Sequence, residues 1–268
     1  MAAIAYQRVP AFTSTVGLGK LVADPVIADA GSRFLLDLGD ARSYAQTATT
    51  EAVTAARTFT DLVTGAAIGV SVPDALVNRG VNAAGKYLGL GHSIGAAPAA
   101  NSNLITMPTN TALPAGARDF LFILWMARLS SMPTSRSFDT IAQMSGAAAT
   151  ASTIDLGNAD QAPRVNFNGA GGGNGGQGPA LANDAIVQLA VGFKAGAMTI
   201  YHNNVPVAQA AVAAAPTDVS ANALRLGGAR GSYVLYRAYA EDLTTSGRAA
   251  ADVLAIDFNY SKNRFATS

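Results

Sequence analysis

The residues from which proton-transfer chemistry is most often built are scarce in this chain. There are two histidines, His92 and His202, and two glutamates, Glu51 and Glu241. A serine hydrolase needs a nucleophile on a strained turn, a base and an orienting acid. Ser93 directly follows His92, and we read that neighbourhood as an accident of sequence. His202 precedes Asn203-Asn204 and reads as a solvated turn residue. Glycan hydrolysis needs two carboxylates facing one bond. Glu241 and Asp242 are adjacent, so on a strand they point to opposite faces. They also fall at a strand end, where solvated turn or capping groups are expected. No catalytic set emerges, and the chain reads as non-enzymatic.

Two other constellations point to binding. Asp155, Asn158 and Asp160 are close enough in a loop to offer oxygens to a calcium ion, though the same residues are ordinary turn formers. No other cofactor is implied. Tyr233, Tyr236 and Tyr239 offer aromatic faces on which a sugar ring can stack, with core packing as the competing use. Alternation along a strand places Tyr236 opposite the other two. With His202 and Asn203 in a nearby type of turn, these tyrosines are the candidate ligand-binding residues. The run Gly169 to Gly178 lacks the flanking helix and Lys-Ser or Lys-Thr of a phosphate cradle. With almost no side chains it reads as a loop between strands.

Composition narrows the possibilities further. Charged residues make up 13% of the 268 and the net charge is +1, so no basic surplus marks a nucleic-acid surface. No stretch approaches the roughly 18 uninterrupted apolar residues of a membrane span, and no membrane insertion is expected. The first residues lack a basic patch followed by an apolar core, so no signal peptide is visible and synthesis in the cytosol is expected. There is no cysteine, so packing must supply stability without disulfides. Few charges with many small residues favour burial against neighbouring subunits, including copies of the same chain.

The elements that must position these residues are mostly strands. Residues 1–44 are broken by Pro10, Gly17, Gly19, Pro25, Gly31 and Gly39. They read either as an extended arm anchoring the molecule or as a source of edge strands. Residues 45–57 have the character of a short helix. From Phe59 onward, short β-prone runs alternate with Gly, Asn and Pro turns, which predicts one all-β domain over residues 45–268. Phe120 to Arg128 and Ala185 to Phe193 are apolar throughout except for the terminal Arg128 and for Gln188, as in strands covered on both faces. Ala197 to Tyr201, Val205 to Val212, Leu224 to Leu226 and Tyr233 to Tyr239 continue a meander, with Pro206 at an edge or bulge. Thr244-Thr-Ser is a candidate N-cap for a closing helix over Arg248 to Asp257. The fold class is therefore an antiparallel β-sandwich with one short C-terminal helix, and Trp125 is expected in its shared interior.

The order of these pieces resembles the laminin-G-like branch of the concanavalin-A superfamily, a jelly-roll sandwich. Arg118-Asp-Phe-Leu-Phe-Ile-Leu-Trp-Met resembles its core strand. Ile186 to Phe193 followed by Met198-Thr-Ile-Tyr-His-Asn-Asn-Val-Pro-Val-Ala resembles its next hairpin, with Asn203-Asn204 where Asn-Gly is usual. Leu224-Arg-Leu-Gly-Gly and Leu235 to Thr244 resemble its closing strands; Phe59-Thr-Asp-Leu and Gly85 to Leu90 resemble its opening ones. Glu241-Asp-Leu-Thr-Thr-Ser-Gly-Arg is similar to domains of bacteriophage tail and other virion proteins. The resemblance implies a structural or adhesive part of a phage particle: a head decoration, tail tip or fibre. Its partners would be other virion proteins, copies of itself and a host-surface glycan. A stand-alone lectin is the alternative, with a glycoside hydrolase behind it.

Overall fold

The structure, a computed structural model, describes residues 24–28, 30–44, 51–52, 59–70, 77–82, 85–90, 105–107, 118–128, 139–145, 153–159, 162–168, 173–211, 224–226 and 233–265. In chain order the strands begin with β1 (Ser32–Asp37), β2 (Glu51–Ala52), β3 (Phe59–Thr60), β4 (Ala67–Val70), β5 (Val77–Asn82), β6 (Gly85–Leu90), β7 (Ile105–Thr106) and β8 (Phe120–Ala127). They continue with β9 (Asp139–Ser145), β10 (Thr153–Ala159), β11 (Ala162–Asn168), β12 (Gly173–Gln177), β13 (Ile186–Lys194), β14 (Ala197–His202), β15 (Val205–Ala211), β16 (Arg225–Leu226) and β17 (Tyr233–Asp242). Two helices close the chain, α1 (Leu243–Ser246) and α2 (Ala250–Ser261). One sheet runs β15-β14-β13-β8-β17-β6-β5-β2, with β1 also on β17; the other runs β12-β11-β10-β9-β16-β7-β4-β3. Every pairing described is antiparallel, and the fold is a β-sandwich.

The middle of the first sheet, β13, β8 and β17, is covered on both faces, which is why β8 has no polar residue. Phe120, Phe122, Leu124 and Met126 point into the core between the sheets, beside Leu189, Val191, Ile105 and Val165. Leu121, Ile123 and Trp125 point the other way, against Val253 and Leu254 of α2, Val26 and Phe265. Trp125 therefore does not share the interior between the sheets. It stacks on Phe258 of α2 at 5.8 Å between ring centroids. A bulge in β17 between Leu235 and Arg237 resets the alternation there. Tyr236 and Tyr239 consequently share the helix-covered face, while Tyr233 lies in the core between the sheets.

A buried ionic cluster joins three distant parts of the chain. Arg237 of β17 donates from Nη1 to Asp24 Oδ2 at 2.7 Å and from Nη2 to Asp24 Oδ1 at 2.9 Å. Its Nη1 also reaches Asp37 Oδ2 at 2.6 Å, and its Nε reaches Asp257 Oδ1 of α2 at 2.8 Å. Asp257 Oδ2 accepts from Trp125 Nε1 at 2.7 Å and from Gln188 Nε2 at 2.8 Å. Arg264 forks onto Asp37, and Tyr260 lies under both guanidinium groups. Burial opposes the charge on Arg237, but Asp257, Asp24 and Asp37 outweigh it and hold its pKa above the usual arginine value. Beside this cluster, Glu241 accepts from the Tyr239 hydroxyl at 2.6 Å and from Arg248 Nε at 2.9 Å.

In the described part of residues 1–44, β1 pairs with β17, and Asp24 and Val26 are buried. Several other expectations are corrected. Glu51–Ala52 is a strand where the sequence suggested helix; the rest of residues 45–57 lies outside the described residues. The closing helix α2 starts from Ala249, which makes no side-chain cap bond, while Thr244-Thr-Ser lies inside α1, capped by Asp242, which accepts from Thr245 N at 3.2 Å. Glu241 and Asp242 are fully buried, not solvated. Part of the glycine run forms a strand, β12, because β11 offers it a ladder. Pro206 does stand on an edge strand at a register shift, as its missing N–H requires.

Two stability predictions follow from this packing. Replacing Arg237 with Met leaves Asp24 and Asp257 buried without their cation, with Asp37 held by Arg264 alone, and should cost about 3–5 kcal/mol in chemical denaturation. Gly31 has φ +94°, and a Cβ there would sit 2.6 Å from Ser246 Cβ, whereas Gly65 has φ +73° and open space around it. Gly65→Ala should cost about 1 kcal/mol of backbone strain, and Gly31→Ala clearly more in the same experiment.

Candidate functional site

The second sheet carries a polar row that only its register reveals. Asn174 pairs with Asn166, Asn166 with Asp155, Asp155 with Gln143, Gln143 with Arg225, Arg225 with Thr106, and Thr106 with Gly69. These seven positions cross seven adjacent strands in one line. The next line along the strands is Val165, Leu156, Ala142, Leu226, Ile105 and Val70. Of these, Val165, Ala142, Leu226 and Ile105 are core residues. Successive residues of a strand alternate faces. The polar line therefore falls on the face turned away from the core, where Arg225 and Thr106 are half-buried.

The flanking lines on that face have the same character. Ser145, Thr153 and Asn168 form one; Thr140, Gly157, Arg164 and Gln177 form another. A bulge at Ile141 keeps Thr140 in phase, and the shift between Arg164 and Asn166 falls where Gly176 takes φ +104°. Among the described residues, the positions on this face carry amide, hydroxyl, one carboxylate and two guanidinium residue types, with no aromatic position. That set both donates and accepts hydrogen bonds across a broad surface, which suits a ligand rich in hydroxyls. Sequence reasoning picked out only Asp155 from it, and for another purpose.

The residues singled out from sequence do not come together. Tyr233, Tyr236 and Tyr239 are 2%, 1% and 0% exposed, so no ring face is open to a sugar. Tyr233 donates to Ile141 O at 2.7 Å, and burial together with Glu241 pushes the Tyr239 hydroxyl pKa up. These correct the aromatic platform: the tyrosines are structural. Asn203 stands in the β14–β15 turn, where both it and Asn204 have positive φ. Its Oδ1 accepts from Gln188 N at 2.9 Å, a bond that fastens the hairpin to β13. Asp155 and Asn158 lie on β10 rather than in a loop, three residues apart and hence on opposite faces. They do not converge on one ion, and Asp160 lies outside the described residues.

Nor does the molecule assemble the parts of a hydrolase from the candidates named. Gly91-His-Ser-Ile-Gly95 spells a nucleophile-elbow pattern, which escaped the sequence reading. That pattern needs a strand-to-helix turn, ordinarily on a parallel sheet, and the strand before it, β6, belongs to an antiparallel one. The five residues themselves lie outside the described residues. Glu241 and Asp242 are committed to Tyr239, Arg248 and the α1 cap.

His202, expected in solvent, is half-buried, and its Nε2 is buried with no hydrogen-bond partner. Burial holds its pKa below the ordinary 6.5. Above that pH neither folded nor unfolded chain protonates there, and the full stability is present. As pH falls, the unfolded chain takes the proton first, so stability drops until the folded pKa is reached. Denaturation between about pH 7 and 5 should show a shallower decline for His202→Gln than for the native chain.

No family model matches the chain, and no curated protein matches it. Solved structures do. Trypanosoma rangeli sialidase is similar over 89% of this chain and 34% of its own, at 9% identity and a TM-score of 0.50. The receptor binding domain of botulinum neurotoxin D is similar over 85% of this chain and 52% of its own, at 9% identity and a TM-score of 0.55. The binding domain of Paraclostridial Mosquitocidal Protein 1 is similar over 87% and 53%, at 11% identity and a TM-score of 0.53. The chain thus spans a third to about half of these structures. The likeness is one of fold, and that fold is found in an enzyme and in binding domains alike.

Proposed function

We propose that this chain is a lectin-like binding module without catalytic activity, which takes a glycan on the outer face of its second sheet. The observation that carries the reading is the transverse line Asn174, Asn166, Asp155, Gln143, Arg225 and Thr106. Backbone ladders hold these positions at fixed spacing, so little ordering entropy is spent when a ligand arrives. The receptor-binding and sialidase neighbours support the reading at the level of fold. A hydrolase is disfavoured because the adjacent carboxylates Glu241 and Asp242 are consumed by structural bonds.

The setting we propose is a bacteriophage particle, as a head decoration, tail-tip or fibre component in contact with other virion proteins and copies of itself. Low net charge and the resemblance of Glu241 to Arg248 to virion domains support it. Labelling of purified particles with an antibody against this chain should mark a fixed position; particles lacking the chain would end the phage reading.

A glycan array tests the binding reading directly. The native chain should bind a defined subset of glycans. Gln143→Ala and Asn166→Ala should each weaken binding by about 1 kcal/mol, roughly fivefold in Kd, with the melting temperature unchanged. Absence of any glycan binding by the native chain would refute the assignment of the face.

A further inference from the structure

We infer that the ligand of this face is an acidic glycan, and that Arg225 reads its carboxylate. The inference rests on the glycan-binding reading above and adds the chemical class. Arg225 differs from the other arginines whose surroundings are described. Arg237, Arg264, Arg248, Arg42 and Arg118 each face a carboxylate, and Arg128 donates to Asn183. Arg33 and Arg164 also have partners. Among the described residues no hydrogen bond or ion pair engages the guanidinium of Arg225, although the residue is half-buried. Partly desolvating a cation without an anion to meet it costs free energy. A ligand carboxylate would offset that cost through two parallel N–H···O bonds in the plane of the fork.

The local structure holds the group in place. Leu224 and Leu226, on either side, are 2% and 0% exposed and anchor β16 in the core. Met107 N donates to Leu224 O at 2.9 Å, and β16 is laddered to β7 and β9. Alternation then fixes Arg225 on the outer face, near the middle of the sheet. Gln143 and Thr106 flank it in register and Asp155 stands two strands away, at roughly 9.5 Å between backbones. A cationic position, two neutral hydrogen-bonding positions and one anionic position along a line match a sugar with an acid group at one side and free hydroxyls beside it. Among the described residues no aromatic position falls on the face, which leaves charge and hydrogen bonding as the means of selection there.

The test uses two matched probe pairs: sialyllactose with lactose, and trigalacturonate with galactotriose. Isothermal titration of the native chain should show preference for at least one acid member over its neutral partner by about tenfold or more. Arg225→Gln should abolish that preference, and Arg225→Lys should restore part of it, since charge returns without the fork. Equal binding of acid and neutral members, sensitive to Gln143→Ala but not to Arg225→Gln, would overturn this inference and leave the glycan face standing. A failure of the native chain to bind any glycan would remove both. The comparison of acid and neutral probes on the native chain needs no variant to fold.

Discussion

One guanidinium organises the closure of this molecule. Arg237 gathers Asp24, Asp37 and Asp257, from the start, the first strand and the last helix, around a single buried cation. Each carboxylate alone would be too costly to bury. Together with Arg264, Trp125 and Gln188 they satisfy one another, and the helix-covered face of the first sheet can close. Whether such a cluster adds net stability over an apolar substitute is a separate matter. Its geometric demand is strict, because the fork of Arg237 fits one arrangement of its partners. It therefore specifies where α2 and the segment before β1 must lie, and so why β8 reads as an unbroken apolar run.

That division of labour separates the two sheets. The first is a buried partition with a core on each side, and its polar residues are spent internally. The second turns Val165, Ala142, Leu226 and Ile105 into the core, and the positions that alternate with them lie on its other face. A binding surface belongs on the layer whose exposed face can change without unfolding the protein.

Much of the first sheet was legible in the sequence. Phe120 to Ala127 is apolar at every phase and Ile186 to Phe193 at all but Gln188, and Asn203-Asn204 marks a tight hairpin in which both residues have positive φ. The second sheet was less legible. Thr153-Ile-Asp-Leu-Gly and Arg164-Val-Asn-Phe-Asn do alternate strictly, but Asp, Asn and Gly are depleted from strands and mask the period. The glycine run looked too poor in side chains to order. Its strand is held instead by β11 and by close approach: a Cβ on Gly178 would come within 3.1 Å of Pro163 and 3.2 Å of Val207. The tyrosines misled because a bulge after Leu235 changes the face on which later residues fall, and no propensity announces a bulge. Nor can spacing in sequence foretell that Asp24 meets Arg237, 213 positions away.

The pairing of β1 with β17 sets a timetable. On the ribosome, Phe34, Leu35 and Leu36 must wait until Arg237 to Glu241 have been made. In that interval the nascent chain holds a sticky strand whose partner does not yet exist. A cell producing this protein in quantity would need something to shield that strand, or a pace of synthesis quick enough to outrun clumping.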